Sequence, residues 1–139
     1  MNTKGFETLM WNIANGWNEK KPRQAVECFT PDATYMEPPD KQFFQGHKEL
    51  YEYFGGDKGV EMKLTWQNLF FNESTQKGSG EYTFEMNGAV HHGVAIVELE
   101  GGKIKMWQEY DTSGTLSYGD FIKTEGKNFK FTIKELIKS

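Results

Sequence analysis

The chain has 139 residues, a net charge of −4 and an aromatic share of 15%. Its length suits a single domain, expected to span residues 1–139. The acidic balance argues against a nucleic-acid partner, which needs a basic face, and against an anionic membrane surface. Phe, Tyr and Trp carry large apolar area and are favoured in strands and ligand pockets. The single cysteine, Cys28, excludes an intrachain disulfide or a cysteine-based metal cage and fits a reducing compartment. No stretch approaches the roughly 18 apolar residues of a membrane span. The first residues are too polar for a signal peptide, so a cytoplasmic location is expected.

Phe6, Leu9, Met10, Ile13 and Trp17 recur at three- and four-residue steps and predict a helix over residues 4–18, with Thr3 as its cap. Pro22 opens a second helix, with Ala25, Val26 and Phe29 on its face. That helix is expected to stop at Thr30-Pro31-Asp32. Cys28, in this apolar run, reads as a buried structural residue. Residues 33–37 alternate and predict a strand ended by Pro38-Pro39. A short third helix starts near Gly46, with Leu50, Tyr51 and Phe54 as its apolar face, and Gly55, Gly56 and Gly59 mark a loop.

Three long runs, 61–71, 80–87 and 89–100, have strand character. The Asn87-Gly88 pair between the last two is a strong hairpin signal. Gly101-Gly102 turns the chain into a strand over 103–111, which implies a meander of three antiparallel strands. Residues 116–123 read as either a short helix or a loop. The final stretch fits a strand through Phe129, Phe131 and Ile133 or a helix from about Thr132, where Thr132 and Glu135 resemble a capping box. Helices followed by a meander predict an α+β domain, with N-terminal helices packed on a strongly curved antiparallel sheet. Curling the sheet to bury its aromatic face makes a cone with a pocket at its mouth.

Several of these pieces carry a family resemblance: Phe29-Thr30-Pro31-Asp32-Ala33 before a strand, Gly46 before the third helix, and the strand Glu81-Tyr82-Thr83-Phe84. They continue with His92-Gly93-Val94-Ala95 and with Gly102-Lys103-Ile104 leading to Trp107-Gln108-Glu109-Tyr110-Asp111. In this order the chain resembles the nuclear-transport-factor-2-like superfamily, and within it the SnoaL-like group. The resemblance covers about residues 4–111 and leaves 112–139 as a C-terminal extension. It implies a cone-shaped pocket, a small hydrophobic ligand and a homodimer. The superfamily holds isomerases, cyclases, hydrolases, dehydratases and non-catalytic binders, so the fold alone does not choose among them.

In the epoxide-hydrolase branch, a Tyr-x-Asn on the first strand and an acidic residue two after the tryptophan hold a water. By that match Tyr35, Glu37 and Glu109 line the pocket. A glutamate among aromatic rings has a raised pKa and serves as a general acid or base, and Tyr35 can donate to a developing oxyanion. The branch's Arg-x-Asp pair is replaced here by Tyr82 and Phe84, and its usual Trp-Arg by Trp107-Gln108.

Side chains alternate along a strand, so Trp107 and Glu109 share one face of 103–111, while Ile104, Met106 and Tyr110 share the other. Hydrophobicity alone puts the second set in the core; the resemblance puts the first set in the pocket. A dimer covering the outer face, or a bulge that switches parity, would reconcile the two. His91 and His92 point to opposite faces. His92 is taken as the pocket-facing one, either as a proton shuttle or as a hydrogen-bonded wall residue. Adjacent histidines on a strand do not chelate a metal together, and no metal or cofactor is expected.

The candidate catalytic residues are therefore Glu109, Tyr35 and His92, and the candidate substrate-binding residues are Glu37, Trp17, Trp66, Tyr82, Phe84 and Trp107. Three functions fit: a cofactor-free isomerase, cyclase, hydrolase or dehydratase; a non-catalytic small-ligand binder; or a dimeric interaction module.

Overall fold

A computed structural model describes residues 1–55 and 61–127. The elements run α1 (Thr3–Asn18), α2 (Pro22–Val26), β1 (Phe29–Met36), β2 (Phe43–Gln45), α3 (Gly46–Gly55), β3 (Met62–Asn72), β4 (Lys77–Met86), β5 (Ala89–Glu100), β6 (Lys103–Thr112) and α4 (Tyr118–Ile122). The six strands form one curled sheet in the order β2-β1-β6-β5-β4-β3. Every pairing is antiparallel except β1 with β6, which is parallel. The meander is therefore four strands long, and the first strand returns to its last member. The expected tail helix from Thr132 lies outside the described residues, as does most of the loop around Gly56 and Gly59.

α1 forms on the expected face: Phe6, Leu9, Met10, Ile13 and Trp17 are all buried. Its cap is Asn2 rather than Thr3, with Asn2 Oδ1 accepting from the Gly5 amide at 2.8 Å. Asn precedes the helix in extended backbone and satisfies an amide the helix itself cannot. α2 ends at Val26, because Phe29, Thr30 and Pro31 enter β1 instead of prolonging the helix. Pro31 falls where the β1–β6 register breaks, between Phe29 and Thr34, and such an irregularity tolerates a residue without an amide. β2 is a three-residue strand that the sequence reading did not contain. It is short and largely exposed, so it has no hydrophobic alternation to betray it.

α1 is tied to the sheet by polar groups as well as by packing. Asn18 receives the Leu64 amide on Oδ1 at 2.6 Å and donates Nδ2 to the Leu64 carbonyl at 2.8 Å. That side chain thus occupies a backbone donor and acceptor of edge strand β3, a site otherwise open to a foreign strand. Trp66 Nε1 donates to the Met10 carbonyl at 2.9 Å.

The two competing faces of β6 are resolved by one residue. Across β5 and β6, Glu98 pairs with Met106 but Leu99 pairs with Ile104, so Lys105 is an extra residue in the ladder. A bulge of this kind shifts the alternation by one. Ile104 therefore faces inward together with Trp107 and Glu109, with exposures of 0%, 2% and 6%, while Tyr110 is 49% exposed on the outer face. Lys105 itself lies by Glu98 at 3.3 Å and Glu100 at 3.8 Å. A second bulge, at Gln67 in β3, lets Trp66 and Leu69 both point inward, opposite Tyr82 and Gly80.

Ile104 sits in the middle of the core, so Ile104→Ala should cost about 2–5 kcal/mol of stability. Urea denaturation checks this, and a loss below about 1 kcal/mol would place Ile104 outside the core.

Candidate functional site

The concave face of the sheet and the helices α1 and α3 enclose a cleft. It is lined by Ile13 and Trp17 from α1, Tyr53 and Phe54 from α3, and Tyr35 and Glu37 from β1 and the residue after it. The sheet adds Leu64, Tyr82, Phe84, Trp107, Glu109 and Asp111. The space open to the centre of a water molecule is about 50 Å³. One water needs about 10–15 Å³ by that measure. As it stands, the cleft takes a slim group rather than a fused ring system.

Glu109 is the polar centre. Its Oε1 accepts from the Tyr35 hydroxyl at 2.9 Å and from Trp107 Nε1 at 3.0 Å. The rings of Tyr35 and Trp107 are stacked, with centroids 5.3 Å apart and planes 13° apart, so both donors are held by packing. The parallel pairing of β1 with β6 places Tyr35 beside Trp107. Glu37 is anchored by Tyr53, whose hydroxyl donates to Oε2 at 2.7 Å. Tyr53 is in turn stacked on Phe44 of β2 at 4.5 Å.

Burial raises the pKa of Glu109, opposed by hydrogen bonds from Tyr82, Trp107, Tyr35 and Glu37. Burial likewise pushes Glu37 up to about 8, with the nearby charge of Glu109 adding to the rise. The hydroxyls of Tyr35, Tyr53 and Tyr82 are all held above their ordinary range, first by burial and then by these carboxylates. The phenols therefore remain neutral donors near neutral pH. Trp107 Nε1 can only donate, so the donors converge on Glu109 as the charged member. Glu37 is then the member that keeps a proton, as like charges in close contact do not both ionise readily.

Seven of the nine sequence candidates come together at this cleft: Glu109, Tyr35, Glu37, Trp17, Tyr82, Phe84 and Trp107. Trp66 does not line it. Its ring lies behind the wall, 5.9 Å from Trp107 and edge-on to Tyr82 at 6.0 Å. His92 does not reach the cleft either. It pairs with Thr83 on the opposite face of the sheet, where its Nδ1 meets Thr83 Oγ1 at 3.1 Å and its Nε2 the Leu116 carbonyl at 2.7 Å. Phe121 of α4 stacks on its ring at 4.3 Å. The inward histidine is His91, opposite Phe84, with Nδ1 3.7 Å from Asp111.

Sequence reasoning missed Tyr53, Phe54's place in the wall, Ile13, Leu64 and Asp111. Tyr53 was legible: from Leu50, helical spacing selects Tyr53 and Phe54 together, whereas Tyr51 is 44% exposed. Cys28 is buried away from the cleft, and burial raises its thiol to about 11, which suits a structural residue.

No family model matches the chain, and no curated protein matches it. Solved structures do. The epoxide hydrolase/cyclase-like enzyme SalBIII, of pyran ring formation in polyether salinomycin, superposes with a TM-score of 0.73. It is 19% identical, over 83% of this chain and 98% of that one. The chain has the nuclear-transport-factor-2-like fold. A ketosteroid isomerase candidate from Kribbella flavida DSM 17836 gives 0.72 at 11% identity, over 91% of this chain and 93% of that one. An LEH-like epoxide hydrolase of M. tuberculosis gives 0.68 at 13% identity, over 79% and 84%. At identities of 11–19% these likenesses show the fold alone. Among the described residues, no helix is long and apolar enough to cross a membrane.

The raised Glu37 pKa has a stability consequence. The folded state holds a proton that the unfolded chain, with a glutamate near 4.5, has lost. Stability therefore falls as pH rises from about 4.5 to 8. Glu37→Gln should be more stable than the parent at pH 8, by on the order of 2 kcal/mol for this partly buried group. The gain should vanish near pH 4. Thermal unfolding across this pH range checks it, and a pH-independent difference would refute the shift.

Proposed function

We propose that the cleft is a cofactor-free acid–base site acting on a small, largely apolar molecule. The observation that carries this reading is the Glu109 carboxyl fixed by Tyr35 and Trp107 in an aromatic wall, with Glu37 beside it raised to about 8. In this reading Glu109 takes a proton from the substrate or from an attacking water. Glu37 gives its proton to the oxygen or carbon that develops negative charge. Transfer across the pair then restores the starting state, so no proton is gained or lost over the cycle. That chemistry serves an isomerisation, a cyclisation, or the addition or removal of water. Acids and bases matched to the working pH each contribute about 10²–10⁴-fold. Tyr35, Trp107 and Tyr82 donate to the base and hold it in place. His92 has no part in this scheme, since its ring lies on the other face. The single buried thiol suits a cytoplasmic setting.

The site reads better as catalytic than as purely binding because two carboxyls are held in an apolar wall. One of them is placed to hold a proton and the other to take one, an asymmetry that binding alone does not need.

The outer face of the sheet supports a homodimer. Val94, Ile96 and Tyr110 lie there with exposures of 42%, 42% and 49%, and apolar patches of this kind mark association surfaces. Sedimentation should show a dimer that Ile96→Lys converts to a monomer; a wild-type monomer at micromolar concentration would end this part of the proposal.

The acid–base reading is tested without a substrate by following the carboxyl carbons of ¹³C-labelled glutamate through a pH titration. One resonance should titrate near pH 8 and disappear in Glu37→Gln. For any substrate found by a thermal-shift screen of small cyclic ketones and epoxides, Glu109→Gln should lower kcat by about 10²–10⁴-fold. Unchanged turnover would remove Glu109 from the mechanism.

A further inference from the structure

The walls of the cleft have a charge pattern that narrows what it holds. Three carboxyls line it, Glu37, Glu109 and Asp111, and among the described residues no Lys or Arg side chain does. The nearest basic ring among the described residues is His91, at 3.7 Å from Asp111. Facing the carboxyls is a group of π-faces. Trp17 stands 5.4 Å from Tyr53, 6.0 Å from Phe84 and edge-on to Phe54 at 5.6 Å. Rings clustered around a small space attract a cation through their quadrupoles when it lies within about 6 Å of their centroids. A substrate carboxylate or phosphate would meet the like charge of these carboxyls. A neutral ligand would leave the carboxyl pair without a counter-charge. A compact organic cation meets both the rings and the carboxyls, and a methylated ammonium head is a slim group of the kind the cleft takes.

We infer that the cleft recognises an apolar molecule bearing an alkylammonium group, seated between the Trp17, Tyr53 and Phe84 rings and the Glu109 and Asp111 carboxylates. This rests on the reading of the same cleft as an acid–base site, and it adds the substrate class. The ammonium group supplies the positive charge that the wall lacks. It also places the adjoining carbon or oxygen atoms next to the carboxyl pair.

The test compares choline with its neutral isostere 3,3-dimethylbutan-1-ol, which has the same shape without the charge. Binding is read by calorimetry and by quenching of tryptophan fluorescence. Choline should bind at least about tenfold more tightly than the alcohol. Glu109→Gln should shrink that preference, and so should Asp111→Asn, whose half-exposed side chain makes it the safer variant for folding. Equal binding of the two compounds, or no binding of choline at about 10 mM, would overturn the inference. So would a preference that both variants leave intact. The carboxyl titration described above uses no ligand, so the shared-proton reading stands or falls separately from the cation class.

Discussion

The extra residue at Lys105 is the constraint on which the site depends. A regular β6 could bury Ile104 or Glu109, but not both, because an odd separation puts them on opposite faces. With the bulge, a core isoleucine and a cleft carboxylate share one side of one strand. The apolar residues anchor the strand into the core, and that anchoring holds Glu109 in a place where its charge is disfavoured. Without the hydrophobic hold from Ile104 and Trp107, a buried glutamate would turn its strand outward.

Much of the fold was legible because its signals are local. α1 announced itself through five apolar residues at helical spacing, and the β4–β5 hairpin through Asn87-Gly88. What was not legible depends on pairing across the chain. The parallel contact of β1 with β6 has no signature in either strand alone, and β2 is too short for any pattern. His92 was assigned to the wrong face because the adjacent histidines offer no hydrophobic contrast. Only the register with Thr83 and Phe84 decides which of them points inward.

The site was legible in part for a similar reason. Tyr35, Glu37, Trp107 and Glu109 were found through spacing on two strands together with a family likeness. Tyr53 escaped because the expected α3 face has Tyr51 as its third member, beside Leu50 and Phe54, which are buried as expected. Its contact with Glu37 joins a helix to the end of a strand 16 residues away in sequence. The glutamate pair also costs the fold stability, since both carboxyls sit where burial opposes their charge.

The return of β1 to β6 has a consequence for how the protein is made. Tyr35 and Glu109, which touch in the finished cleft, are 74 residues apart in sequence. Synthesis runs from the N-terminus at about 5–20 residues per second, so Tyr35 leaves the ribosome several seconds before its partner exists. During that interval the first strand has neither its main neighbour nor the far wall of the cone. Non-local pairing of this sort delays folding until the loop between the strands can close. The cleft is thus the last part of the sheet to become possible, and a nascent chain interrupted before β6 carries α1 to α3 and the strands up to β5 but no site.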